Sequence, residues 1–86
     1  MITIFKKDYK DEGGTDGEIR IGWATWDKGE YKKRSIKWAY PKGGKISRGS
    51  PEVPFDNLVE MVLFAMEKGE LTQEQINKLR NALREQ

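Results

Sequence analysis

The sequence predicts an α+β fold: a twisted antiparallel β-sheet of three or four strands followed by two C-terminal helices, expected as a homodimer. Three observations lead there. Apolar residues alternate along the first half, at Ile19, Ile21 and Trp23 and again at Ile36, Trp38 and Tyr40. Alternation of this kind marks a strand with one buried face. From Phe55 onward the apolar spacing becomes helical. Strands gathered ahead of helices, rather than alternating with them, argue for antiparallel pairing.

The elements follow in chain order. Ile2, Thr3 and Ile4 begin a short strand that is expected to reach about Lys7. Asp11 to Gly17 is an acidic, glycine-rich loop. Glu18 to Trp26 is the second strand, with Ile19, Ile21 and Trp23 on its buried face. Asp27-Lys28-Gly29 is a turn signal between two strand-like runs and predicts a hairpin. Tyr31 to Tyr40 is the third strand. Ile36, Trp38 and Tyr40 share one of its faces, and Lys33, Ser35, Lys37 and Ala39 share the other. Pro41-Lys42-Gly43-Gly44 is a second turn, and a short strand over Lys45 to Ser47 is the candidate to follow it.

Pro54 suits the first turn of a helix, because the proline there gives up only a donor that has no partner. Phe55, Leu58, Val59, Val62, Leu63 and Met66 then form a continuous apolar face, so a helix is predicted over Phe55 to Lys68. Met61, Phe64 and Ala65 widen that face beyond what packing on one sheet needs. The excess is covered either by the second helix or by another copy of the chain. Gly69 is a C-terminal stop. Thr72 and Gln75 have capping-box spacing, with Glu74 in the first turn favouring the helix dipole. Ile76, Leu79 and Leu83 form a narrower stripe. One domain over residues 1–86 is expected, with the sheet about 1–50 and the helices about 54–68 and 72–85. A chain of 86 residues has a thin core, burying only about 60–65% of its unfolded surface. Dimerisation through the Phe55–Met66 helix would complete it.

Composition removes several chemistries. The chain has neither cysteine nor histidine. Disulfides, thiolate catalysis, Ser-His-Asp triads and the usual zinc and transition-metal sites are therefore excluded. No enzymatic role and no cofactor are expected. The carboxylates read as exposed loop acids, and Gly43-Gly44 lacks the ending of a phosphate-binding loop. The longest apolar run, Met61 to Met66, is far short of a membrane span. No membrane association is expected. Met1 to Phe5 enters a strand pattern without signal-peptide character, and the absence of cysteine fits a reducing, cytoplasmic setting.

Charge is distributed unevenly. Lys28 to Arg48 holds eight bases and one acid, Glu30, a local charge of +7 on a chain of net charge +2. The same stretch carries Tyr31, Trp38 and Tyr40. Positive charge attracts phosphate without regard to sequence, and aromatic faces stack unpaired bases. The pattern points to a single-stranded nucleic-acid surface. Its candidate residues are Arg20, Trp26, Lys28, Tyr31, Lys32, Lys33, Arg34, Lys37, Trp38, Lys45 and Arg48. The ordinary alternative is that these lysines only keep a small sheet soluble. Trp23, which shares a face with Ile19 and Ile21, reads as core.

Trp26-Asp27, then Glu30, Ile36-Lys37 and Pro41, then a basic turn ending in Arg48-Gly49 and a helix, form a further pattern. It resembles the bacterial branch of the positive-cofactor-four family of transcriptional coactivator-like proteins. The likeness spans roughly residues 18–66. It implies a curved four-stranded sheet followed by a helix, dimerisation through those helices, and binding of single-stranded DNA in transcription regulation. The family's hairpin, strand and turn motifs would fall on Trp26-Asp27, Ile36-Lys37-Trp38 and Arg48-Gly49. Lys37 stands where the family usually has Arg. Pro51 and Pro54 interrupt the region of the fourth strand, which is therefore short, displaced to an edge or absent. The second helix is additional. RNA is the other candidate ligand. The competing function is a protein-interaction module that docks a partner on its apolar helices.

Overall fold

A computed structural model describes residues 1–40 and 51–86. It contains a four-stranded antiparallel sheet in the order β1-β2-β3-β4, followed by two helices. The strands are β1 (Ile2–Lys10), β2 (Asp16–Trp23), β3 (Arg34–Ala39) and β4 (Val53–Pro54). The helices are α1 (Phe55–Glu67) and α2 (Gln73–Arg84). This is the α+β arrangement that the sequence pattern predicts.

The fourth strand takes the short, edge form. Val53 pairs with Ile36 and Pro54 with Ser35. A proline is tolerated there because an edge residue needs no ladder donor on its open side. The sheet thus ends immediately before α1, with Pro54 as the N-cap of that helix. The short strand expected over Lys45 to Ser47 lies outside the described residues.

Other boundaries differ from expectation for physical reasons. β1 runs on to Lys10, its last three residues Asp8, Tyr9 and Lys10 pairing with Glu18, Gly17 and Asp16. Both faces of this edge strand are exposed along its whole length, so it needs no apolar alternation to mark it. β2 ends at Trp23 rather than Trp26, and β3 begins at Arg34 rather than Tyr31. The intervening residues form a loop with a short 3-10 turn over Thr25–Asp27.

Register assigns the two faces of the sheet. Ile19 opposes Trp38, Ile21 opposes Ile36 and Trp23 opposes Arg34. Phe5, Lys7 and Tyr9 of β1 extend this face beside Ile21, Ile19 and Gly17. The reverse face carries Glu18, Arg20 and Gly22 opposite Ala39, Lys37 and Ser35. The expected common face of Lys33, Ser35, Lys37 and Ala39 is only partly realised. Lys33 precedes the strand, while Ser35 and Ala39 are fully buried.

Helix ends are specified locally. Gly69 has φ +70, the left-handed conformation that a side chain disfavours. Its N–H donates to the Met66 carbonyl and that of Glu70 to the Ala65 carbonyl, a complete Schellman stop. At the start of α2 the Gln75 N–H donates to Thr72 Oγ1 at 3.1 Å, and the Thr72 N–H donates to Gln75 Oε1 at 2.9 Å. This is the capping box that the spacing predicts.

The core is small. Among the described residues only Ala24 and Ala39 are buried apolar side chains. Leu58 of α1 reaches the sheet beside Ile19, Ile36 and Val53, around a recess of about 280 Å³. Much of α1 stays exposed, including Phe64 at 61%, and Leu83 of α2 is 73% exposed. Between the helices runs an open apolar groove of about 830 Å³, lined by Val59, Val62, Met66, Ile76 and Leu79 among others.

Candidate nucleic-acid interface

The loop between β2 and β3 is built around one carboxylate. Asp27 Oδ1 accepts the Gly29 N–H at 3.0 Å, and Oδ2 accepts the Lys32 and Lys33 N–H groups, each at 3.2 Å. Ala24 N–H donates to the Lys33 carbonyl at 3.0 Å and closes the loop base. Burial alone would raise the Asp27 pKa. The backbone donors of Lys33, Gly29, Lys32 and Tyr31 outweigh it and hold the carboxyl below its ordinary value. This network fixes a backbone that sequence alone disfavours. Lys28 and Tyr31 have φ of +56 and +57, and such left-handed non-glycine residues cost on the order of 1–3 kcal/mol each.

Three of the candidate cations, Lys28, Lys32 and Lys33, and two of the aromatics, Trp26 and Tyr31, belong to this loop. Trp26, in the 3-10 turn, is 46% exposed, and Tyr31 is 55% exposed. Lys28, Lys32 and Lys33 are exposed beside them. Lys32 lies 4.0 Å from Glu30, a surface pair of little energetic weight. Arg34 opens β3. Its guanidinium carbon lies 4.7 Å from the ring centroid of Trp23. Tyr31 meets the same indole edge-on, with centroids 6.1 Å apart and an interplanar angle of 83°.

Trp38 stands at the other end of the same sheet face. It is half-buried, 5.6 Å from Tyr9 in an edge contact and 6.1 Å from Tyr40. Its ring occupies the space above Gly17, where an added Cβ would come within 2.6 Å of Trp38 Cη2. Arg20 and Lys37 are neighbours across β2 and β3 on the reverse face, with Lys6 of β1 next in the row. Arg20 is already engaged by Glu18, at 2.9 Å. The structure therefore gathers Trp26, Lys28, Tyr31, Lys32, Lys33 and Arg34 at one end of the sheet. It sets Trp38 apart from them and places Arg20 and Lys37 on the opposite face. Lys45 and Arg48 lie outside the described residues.

Sequence reasoning missed Asp27 as the centre of the loop, Trp23 as the platform under Arg34, and Tyr9 as the neighbour of Trp38. Asp27 sits in a turn signal, and that signal was the available clue. The other two depend on cross-strand register.

Chemically, the gathered cluster offers exposed ring faces beside several cations and a planar fork donor. No group of three or more His, Cys, Asp or Glu among the described residues is placed to hold a metal ion. Among the same residues no helix is long and apolar enough to cross a membrane. The chain matches no protein-family model, no curated protein and no solved structure with which it was compared.

Proposed function

We propose that the protein binds single-stranded DNA with weak sequence preference, using the β2–β3 loop and the adjoining end of the sheet. One observation carries this reading. Exposed Trp26 and Tyr31 stand among Lys28, Lys32, Lys33 and Arg34 in a loop whose backbone is fixed. Stacking on each ring is worth about 1–3 kcal/mol per base, and the cations supply phosphate attraction that does not depend on sequence. Trp38, with Tyr9 and Tyr40, offers a second stacking surface. Single-stranded RNA would meet the same chemistry. The resemblance to the positive-cofactor-four family supports the reading and adds transcription regulation, or protection of melted DNA, as the biological role. No catalytic step is proposed.

The exposed apolar faces of α1 and α2 support the second part of the reading, a homodimer formed through Phe55–Met66. Contiguous apolar patches of this kind mark interaction surfaces. The same groove favours the alternative function, docking of a different protein partner on the helices.

The test is fluorescence anisotropy of a labelled dT oligonucleotide of about twenty bases, at low and moderate salt, with duplex DNA alongside. Micromolar or tighter binding is expected, stronger for the single strand. Its salt slope should be about −0.7 per phosphate neutralised. Lys32→Glu with Lys33→Glu should weaken binding at least tenfold. An absence of wild-type binding at low salt would move the function to the helices.

A further inference from the structure

We propose that Asp27 is a positioning residue for a one-nucleotide station, in which Tyr31 stacks a base and Arg34, held on Trp23, takes the neighbouring phosphate. The inference rests on the single-strand reading above and names the residues that make that site.

Tyr31 is left-handed although it is not glycine, with φ +57. A bulky residue in that region is an outlier whose persistence needs a reason. Here the surroundings impose it. The flanking N–H groups of Gly29, Lys32 and Lys33 all donate to the Asp27 carboxylate. The backbone is pinned on both sides of Tyr31, and its ring is delivered edge-on to Trp23, 6.1 Å away, while remaining 55% exposed. A loop selected only for solubility would not need an aromatic at its strained position.

Arg34 completes the station from the strand. It pairs across the ladder with Trp23 and lies 4.7 Å from that ring. The indole fixes the direction of a planar fork that matches phosphate geometry. One ring thus touches both the stacking group and the phosphate donor. Asp27 meets the loop backbone rather than the ligand, so it acts through Tyr31. Trp23 likewise acts through Arg34.

The charge of Asp27 makes the inference testable by sign. Removing a carboxylate from a cationic loop strengthens attraction for a polyanion if charge alone matters. Loss of positioning weakens it. The experiment measures dT oligonucleotide affinity by anisotropy for wild type, Asp27→Asn, Tyr31→Ala and the double variant, with far-UV circular dichroism as the fold check. Asp27→Asn should bind about tenfold more weakly with an unchanged salt slope, because Asp27 touches no phosphate. Tyr31→Ala should lose about tenfold as well. The double variant should lose little more than either single one, because both remove the same stacking contact.

Folded Asp27→Asn that binds as well as wild type, or more tightly, overturns the proposal. So does a double variant whose loss is the product of the two. If Asp27→Asn fails to fold, Tyr31→Ala decides: its ring is exposed, and unchanged affinity would overturn the station. Failure of wild type to bind would instead remove the single-strand reading on which the station rests.

Discussion

The guanidinium of Arg34 lies over the indole of Trp23, 4.7 Å from the ring centroid, and the two residues are register partners across β2 and β3. The pairing explains why Trp23, which reads as core from its neighbours Ile19 and Ile21, is only half-buried. It forms the floor on which a cation rests. Such a contact at an exposed site contributes about 0.5–1 kcal/mol. Its larger effect is to limit the directions in which the fork can point. Arg34→Ala should weaken single-strand binding by about three- to tenfold. It should also make the salt slope shallower by about 0.7, the value of one phosphate contact. Anisotropy titrations at several salt concentrations check both numbers together.

Gly17 lies under the ring of Trp38. A Cβ there would sit 2.6 Å from both Trp38 Cη2 and the Ala39 carbonyl oxygen. The ring can swing away, but the backbone oxygen cannot move without disturbing the β3 ladder. Gly17→Ala should therefore destabilise the fold by about 1–3 kcal/mol, as overpacking does. Urea unfolding measures the loss, and a shift in tryptophan emission should accompany displacement of Trp38.

Val59 and Leu63 on α1 are more than half exposed and line the groove facing α2. With so few buried apolar residues, a second copy is the proposed source of the missing burial. Wild type should sediment as two chains at micromolar concentration, and its melting temperature should rise with protein concentration. Val59→Asp or Leu63→Asp should give a single chain of lower stability. A stable monomer at all concentrations would leave the apolar helices to a different partner.

Glu52 joins the start of β4 to the 3-10 turn. Its carboxylate accepts the Thr25 N–H and Oγ1–H, each at 2.7 Å, and lies 2.9 Å from the Met1 amino group. Burial would raise its pKa, but these partners prevail and hold it below the ordinary carboxylate value of 4.5. The folded state therefore releases this proton more readily than the unfolded chain. The stabilisation is complete above the unfolded pKa and is lost as pH falls through the folded one. Asp27 is shifted in the same direction by its backbone donors. Stability should accordingly decline as pH drops below about 4.5, the ordinary value. Urea midpoints across that range should fall less steeply in Glu52→Gln than in wild type.

The parts of this fold legible in the sequence are those specified by near neighbours. The capping box of Thr72 and Gln75, the stop at Gly69 and the apolar period of α1 depend on residues a few positions apart, so spacing alone reveals them. Which residues of β2 and β3 share a face follows from alternation for the same reason, but which face is buried does not: Glu18, Gly22, Ser35 and Ala39 are buried, while Ile19, Ile21, Trp23, Ile36 and Trp38 are half-buried. Asp8 to Lys10 defeated that logic, because a strand exposed on both faces has no apolar pattern to read. The β2–β3 loop defeated it differently. Tyr31 to Lys33 run directly into the β3 pattern, yet the hydrogen bonds that the Lys32 and Lys33 N–H groups donate to Asp27, up to six residues away, pull their backbone out of the ladder. The candidate site was legible as a list of cations and rings. Its division between two faces and a loop follows from register, which composition does not carry.

The most direct measurement is a two-dimensional amide and indole NMR titration of the protein with a dT oligonucleotide of about ten bases. The three tryptophans give separate indole signals, so each ring reports on its own position. The account predicts salt-sensitive shifts concentrated in residues 26–38, with the Trp26 indole strongly affected and the amides of α2 unchanged. Shifts confined to α1 and α2, or none at low salt, would contradict it.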